Sequence, residues 1–354
     1  MNPKSTADST NEWKGNSIVR SIHILITLGL YLIPWRLYAA SINQEPEKYL
    51  SFIPSRIWND TDGKPIEAHG GGMFYKNGTY YWFGEHGTPG RTKVGVMCYS
   101  SKDLYNWKNE GVALPLVYDD PNHDLSLDCA LERPKVIYNA VIKKYVMWFH
   151  LELKGQGYDA ARSGVAVSND VTGPYTFIRS FRPNKSMARD MTLFVDVDGK
   201  AYQFYASEDN QTMHVSLLSD DYLGPAGQFK RIFIGRFMEA PAVFKHQGWY
   251  YFIGSGCTAY APNTARSAVA ASIWGPWKEL GNPCVGKNAD KTFLSQSTFV
   301  FPVTNKSGAF IFMADQWNVY ENKGPRYVWL PIHFEEGRIV IRWADEWDMS
   351  VFDR

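Results

Sequence analysis

From residue 73 to residue 343, short runs of aromatic and β-branched residues alternate with Gly, Asn, Asp and Pro. Hardly any stretch carries the apolar period of an amphipathic helix. Residues 73–85 read as a hairpin, because Asn77-Gly78 suits a tight two-residue turn. Residues 94–101 and 107–112 read as the next two strands. The same order then returns. A second unit takes 132–138, 144–150, 164–168 and 173–178. A third takes 190–196, 201–207, 214–218 and 229–234. A fourth takes 239–244, 249–255, 267–272 and 275–279, with its first turn at His246-Gln247-Gly248. A fifth takes 295–301, 310–315, 327–334 and 339–343. Four-strand units spaced by roughly 50 residues are the signature of propeller blades. Two packed sheets would account for the strands but not for their returning order. The pattern therefore predicts an all-β fold, a five-bladed β-propeller with a central funnel-shaped active site, over residues 41–354.

That fold gives meaning to the residues that open each unit. The first strand of a blade lines the axis, so the starts of the five first strands converge at one end. The openers are Glu67-Ala68-His69, Glu132, Arg189-Asp190, Glu239 and Gln296. Glu239 lies in a mostly apolar stretch, and burial raises a carboxyl pKa toward that of a general acid. Taken alone it is more readily a carboxylate satisfied by backbone N–H groups. A ring of such groups interleaved with aromatics instead suits a carbohydrate site. Gly70-Gly71-Gly72 would let backbone approach a ligand closely, but no Lys-Ser/Thr follows to make a phosphate loop. Met187 and Met191 read as core fillers, and His150 and His214 as structural groups. His69 lies beside the glycines of the funnel. Trp317 and Tyr260 are loop aromatics that would stack on sugar or plug the mouth.

Composition supports the same direction. The 354 residues are 15% aromatic, with 13 Trp and 21 Tyr, and ring faces stack well on sugar C–H faces. A formal net charge of +1 gives no reason to expect nucleic acid or a charged membrane surface. The four cysteines show no zinc-type spacing, so neither metal nor cofactor is expected. Lys14 and Arg20 precede an apolar run over 22–35, and Ala39-Ala40-Ser41 follows. Residues 1–40 thus read as a signal peptide or N-terminal export segment, with an uncleaved anchor as the alternative. The expected location is periplasmic or extracellular, where disulfides are permitted. Cys257 and Cys284 are expected to pair, and Cys98 and Cys129 to stay reduced.

The motifs Ala68-His-Gly-Gly-Gly72, Tyr80-Tyr-Trp-Phe-Gly-Glu85, Glu132-Arg-Pro-Lys135, Arg189-Asp-Met-Thr-Leu-Phe194, Ala206-Ser-Glu-Asp-Asn210, Glu239-Ala-Pro-Ala242, Gly256-Cys-Thr258 and Ser295-Gln-Ser297 resemble glycoside hydrolase family 43. The nearest likeness is to its exo-β-1,3-galactanase subgroup, over about residues 52 to 347. The resemblance implies an inverting exo-hydrolase that releases galactose from β-1,3-galactan, the backbone of arabinogalactan. It implies Glu239 as general acid and Asp190 as the carboxylate that tunes it. It implies Gln296 as the base through its imidic tautomer, and Glu132 as a holder of the galactose. Glu85, Tyr158, Asn210 and Thr258 resemble further sugar contacts, and Glu67 and His69 join the substrate-binding set. Other family members carry an Asp base in the first blade, where this chain has Glu67. On chemistry alone Glu132 or Glu67 would be the default base, because glycosidases ordinarily use two carboxyl groups. Alternatives within the family are a β-galactosidase or an α-L-arabinofuranosidase. Outside the enzymes, the alternative is a propeller that binds sugar without cutting it. The expected partner is a polysaccharide or oligosaccharide, with no nucleic acid, no membrane for the mature domain, and a monomeric state.

Overall fold

A computed structural model describes residues 48–86, 93–317 and 324–353. Its strands form five sheets. The first blade holds β1 (His69–Lys76), β2 (Thr79–His86), β3 (Gly95–Ser101) and β4 (Lys108–Pro115). The second holds β5 (Ala130–Asn139), β6 (Lys144–Glu152), β7 (Arg162–Ser168) and β8 (Thr176–Phe181). The third holds β9 (Met191–Val195), β10 (Ala201–Ser207), β11 (Thr212–Leu218) and β12 (Pro225–Ile232). The fourth holds β13 (Glu239–His246), β14 (Trp249–Ser255), β15 (Arg266–Ala270) and β16 (Lys278–Gly281). In the fifth, a two-residue strand β17 (Cys284–Val285) runs parallel to the outermost strand β21 (Arg338–Arg342). Inside it follow β20 (Arg326–Glu335), β19 (Phe310–Gln316) and β18 (Gln296–Pro302). Every other ladder is antiparallel and joins strands consecutive in sequence. The protein is a five-bladed β-propeller, and β17 is its one strand outside the expected repeat.

The innermost strands touch in ring order, β1 to β5 to β9 to β13 to β18 and back to β1. Tight turns hold the hairpins: Asn77-Gly78 and Gln247-Gly248 both take positive φ at their two central positions. The two ends of the described chain meet across the seam. Phe52 and Trp347 exchange backbone hydrogen bonds, and their rings stack at 4.2 Å. Beside them Trp58, Trp82, Trp107 and Trp329 pack in edge-to-face and tilted pairs between the first and fifth blades. The aromatic excess of the sequence thus goes largely into the core.

One local device recurs at the axis. Four of the five innermost strands carry a register shift at their start, at His69/Gly72, Glu132/Lys135, Glu239/Ala242 and Ser297/Phe299. A bulge inserts an extra residue and re-aims the side chains beside it. Gly70, Arg133 and Ala240 sit inside three of these bulges with φ of 59°, 54° and 55°. That region is costly for Arg and Ala. At Gly70 a Cβ would also meet Glu85 Oε1 at 2.9 Å and the Arg133 backbone at 3.0 Å, so glycine is required.

Candidate active site

The bulges aim their neighbours into one cavity of about 570 Å³ at a mouth of the axis. Glu132, Asp190, Glu239 and Gln296 all line it, from the second, third, fourth and fifth blades. Glu239 is the first residue of β13 and pairs with Ser255 on β14. Asn210 Nδ2 donates to its Oε1 at 2.7 Å, and Gln296 Nε2 lies 3.4 Å from its Oε2. The Cys257 thiol makes a further hydrogen bond to it. Burial first, and then the charge of Asp190, raise the Glu239 carboxyl to about 7, against the opposing pull of Arg133. The group therefore holds a proton for part of the time at neutral pH and can give it away.

Asp190 is fixed from two sides. Arg133 Nε lies 2.8 Å from its Oδ2, and the Ala240 backbone N–H donates to the same oxygen at 3.0 Å. Arg133 also reaches the fifth blade. Its Nη2 donates to Gln296 Oε1 at 2.6 Å and its Nη1 to the Ser297 carbonyl at 3.0 Å. Trp317 Nε1 donates to the same Gln296 oxygen at 3.1 Å, while Gln296 Nε2 donates to Ser255 Oγ at 3.0 Å.

On the second blade, Glu132 accepts a hydrogen bond from Tyr158 Oη at 2.6 Å and lies 3.0 Å from His150 Nδ1. His150 Nε2 is 2.8 Å from Glu152. Burial would lower His150, but its two glutamate partners raise it to about 9, so it is a cation. Burial would raise Glu132, but His150, Tyr158 and Arg133 bring it to about 2, so it is ionised. Glu85 shares the cavity and differs: burial, then the charge of Glu132, push it well above the usual carboxylate range. Two neighbouring glutamates are thus shifted in opposite directions. Glu132, His150 and Asp190 bring one donor atom each within 4.8 Å of one another. The His150 cation and the Arg133 guanidinium already supply the positive charge there, so the cluster is poorly suited to a metal.

The profile of Glycosyl hydrolases family 43 matches residues 64–299. The chain belongs to glycosyl hydrolases family 43. Among solved structures it is 46% identical to a family 43 β-1,3-galactosidase determined with galactodeoxynojirimycin, with a TM-score of 0.81 over 84% of this chain and 100% of that one. It is 34% identical to an exo-β-1,3-galactanase from Phanerochaete chrysosporium determined with galactose, TM-score 0.76, over 84% of this chain and 67% of that one. A xylosidase/arabinosidase 43B from Humicola insolens is 24% identical over 205 residues, 52% of this chain. The chain spans about a third, 35%, of that curated relative.

Of the expected family 43 site residues, Glu85, Glu132, Tyr158, Asp190, Asn210, Glu239 and Gln296 line the cavity. Three do not. Glu67 is buried, and its backbone N–H donates to Tyr99 Oη at 3.0 Å. His69 is buried beneath Trp317, its ring stacked at 5.1 Å and its Nδ1 3.6 Å from Asp315. Thr258 closes its own turn, donating to the Ala261 carbonyl at 2.5 Å and accepting from Asn263 at 2.7 Å. Neither Glu67 nor Thr258 presents its side chain to the cavity.

One further expectation is corrected. All four cysteines are free. Cys257 follows β14 at the cavity wall with its thiol on Glu239, whereas Cys284 lies on β17 at the outer edge of the fifth blade, so the two are at different radii. Gln296 Nε2 lies 3.4 Å from Glu239 Oε2 at the cavity wall. The Gln296 side-chain oxygen faces a guanidinium and an indole.

Sequence reasoning did not assign Arg133, His150 or Cys257 to the site. Arg133 stands inside the quoted Glu132-Arg-Pro-Lys135 motif, and its left-handed backbone has no sequence signature. His150 pairs across the ladder from Glu132, a register no spacing reveals. Residues 1–40, expected as an export segment, lie outside the described residues. Among the described residues no helix is long and apolar enough to cross a membrane.

Proposed function

We propose that this family 43 hydrolase is an inverting, exo-acting enzyme that releases galactose from β-1,3-galactan. The observation that carries the substrate is the 46% identity to a β-1,3-galactosidase across that chain's whole length. The site adds the chemistry. Glu239 protonates the departing glycosidic oxygen, and Asp190 keeps its carboxyl high enough to hold that proton. Ionised Glu132 accepts hydrogen bonds from galactose hydroxyls, with Tyr158 beside it and Asn210 in the same cavity on Glu239. Glu85, whose carboxyl is raised by burial and by the charge of Glu132, lines the same cavity. Tyr260 and Trp317, whose rings lie 6.4 Å apart on the cavity wall, offer faces for the sugars that follow. Gln296 directs its NH₂ toward the acid and the cavity, where the attacking water must also enter.

Residues 1–40 serve in this reading as an export segment, which delivers the enzyme to a periplasmic or extracellular polysaccharide. No second sugar class is favoured by the geometry. The test is product analysis on β-1,3-galactan, β-1,4-galactan and an aryl α-L-arabinofuranoside in parallel. Free galactose from the first substrate alone is expected. Faster release of arabinose than of galactose would move the enzyme to the arabinofuranosidases of its family.

A further inference from the structure

We propose that Arg133 is a positioning residue for the reaction: its one buried guanidinium holds Asp190 on one blade and the carbonyl oxygen of Gln296 on another, and so decides which end of the Gln296 amide faces Glu239. The inference rests on the functional reading above and goes one step further into the same site.

The hydrogen-bond inventory carries the argument. Arg133 Nη2 and Trp317 Nε1 both donate to Gln296 Oε1, at 2.6 and 3.1 Å. Neither a guanidinium nor an indole N–H can accept. The end of the amide facing them must therefore be the oxygen, and the ambiguity that usually attends glutamine amides is removed. The nitrogen end is left to face Ser255 Oγ at 3.0 Å and Glu239 Oε2 at 3.4 Å. An O–H on this oxygen, as an imidic form requires, would point at a donor. A guanidinium there instead favours negative charge on Oε1.

The same side chain is locked at its other end. Nε is spent on Asp190 at 2.8 Å, and Nη1 on the Ser297 carbonyl at 3.0 Å. The three nitrogens thus bind three different groups, from the third and fifth blades, while the residue itself belongs to the second. The bulge at Glu132/Lys135 and the φ of 54° at Arg133 aim the side chain across the axis. Only a planar fork can do this; a lysine ammonium reaches as a single point. The groups facing Glu239 are Asp190, which raises its carboxyl, and Arg133, Cys257 and Asn210, which lower it, with Gln296 in contact. Arg133 therefore acts on the acid twice, by its own charge and by fixing Asp190 and Gln296.

The experiment uses the full chain with Arg133→Lys and Arg133→Met. Glutamate carboxyls are titrated by ¹³C NMR, with Glu239→Gln assigning the signal, and kcat and KM are measured against pH. The Glu239 midpoint is expected to rise in Arg133→Met, and by less in Arg133→Lys. In Arg133→Lys kcat is expected to fall at least tenfold, with KM changed less than threefold. A role confined to packing would lower the melting temperature and leave the midpoint where it is. Should Arg133→Met fail to fold, Arg133→Lys decides alone: an unmoved midpoint with wild-type kcat overturns the proposal. The titration needs no turnover. Failure of the wild type to cleave galactosides would therefore count against the functional reading, and an unmoved midpoint against this one.

Discussion

The backbone N–H of Ala240 donates to Asp190 Oδ2 at 3.0 Å, which ties the residue after the acid to the carboxylate that tunes it. Ala240 is held at φ 55°, so this contact and the bulge together set where Glu239 points. The charge of Asp190 is also one of the two causes that raise Glu239 to about 7. Asp190→Asn keeps a hydrogen-bond acceptor but removes the charge. The acid then loses its proton at lower pH, and the alkaline limb of the kcat/KM profile moves down. Activity at pH 7 is expected to fall about 10- to 100-fold. An alkaline limb that stays in place would show that Asp190 does not tune the acid.

Glu239→Gln removes the proton donor. The loss on galactan is expected to be about 10²- to 10⁴-fold, and far smaller on an aryl galactoside whose leaving group is already acidic. Equal losses on both would take the acid role away from Glu239.

The same substitution has a stability signature. The folded protein raises this carboxyl from 4.5 to about 7, so it binds the proton more tightly than the unfolded chain does. That contribution is complete below about pH 4.5 and is lost as pH rises through about 7. Charging the half-buried group costs at most about 3 kcal/mol. Glu239→Gln should therefore melt close to wild type at pH 5 and above it at pH 8. A variant equally stable or less stable than wild type at pH 8 would mean that the acid is not destabilised by its site.

The cysteines give a check on the blade geometry. Cys257 is exposed on the cavity wall, while Cys98, Cys129 and Cys284 are buried. Its thiol is pushed up to about 12 by burial and by Glu239, so it reacts slowly but is within reach. A small thiol reagent is expected to modify only Cys257 in the native protein, more slowly with galactose present. Denaturation without reductant should expose four alkylatable thiols. Two would mean that the Cys257–Cys284 bridge forms after all.

The fold was legible because strand periodicity, Asn-Gly and Gln-Gly turns and the return of the same order are local features. Residues at blade starts could be placed at the axis from topology alone, which brought Glu132, Asp190, Glu239 and Gln296 together. What stayed hidden depends on contacts across blades. Arg133 bridges Asp190 and Gln296 from positions 57 and 163 residues away in sequence. His150 owes its charge to Glu132 across a ladder and to Glu152 beside it. Thr258 and Glu67 carry the right chemistry at the right blade ends, yet a closed turn takes one and burial away from the cavity takes the other. Cys257 and Cys284 look paired along the chain, but the blade separates them radially.

The central claim is that this protein removes single galactose units from β-1,3-galactan with inversion. Proton NMR of the reaction in its first minutes, before mutarotation, tests it most directly. The account predicts galactose as the only small product, appearing first as the α-anomer. The β-anomer appearing first, or oligosaccharides appearing in place of galactose, would contradict it.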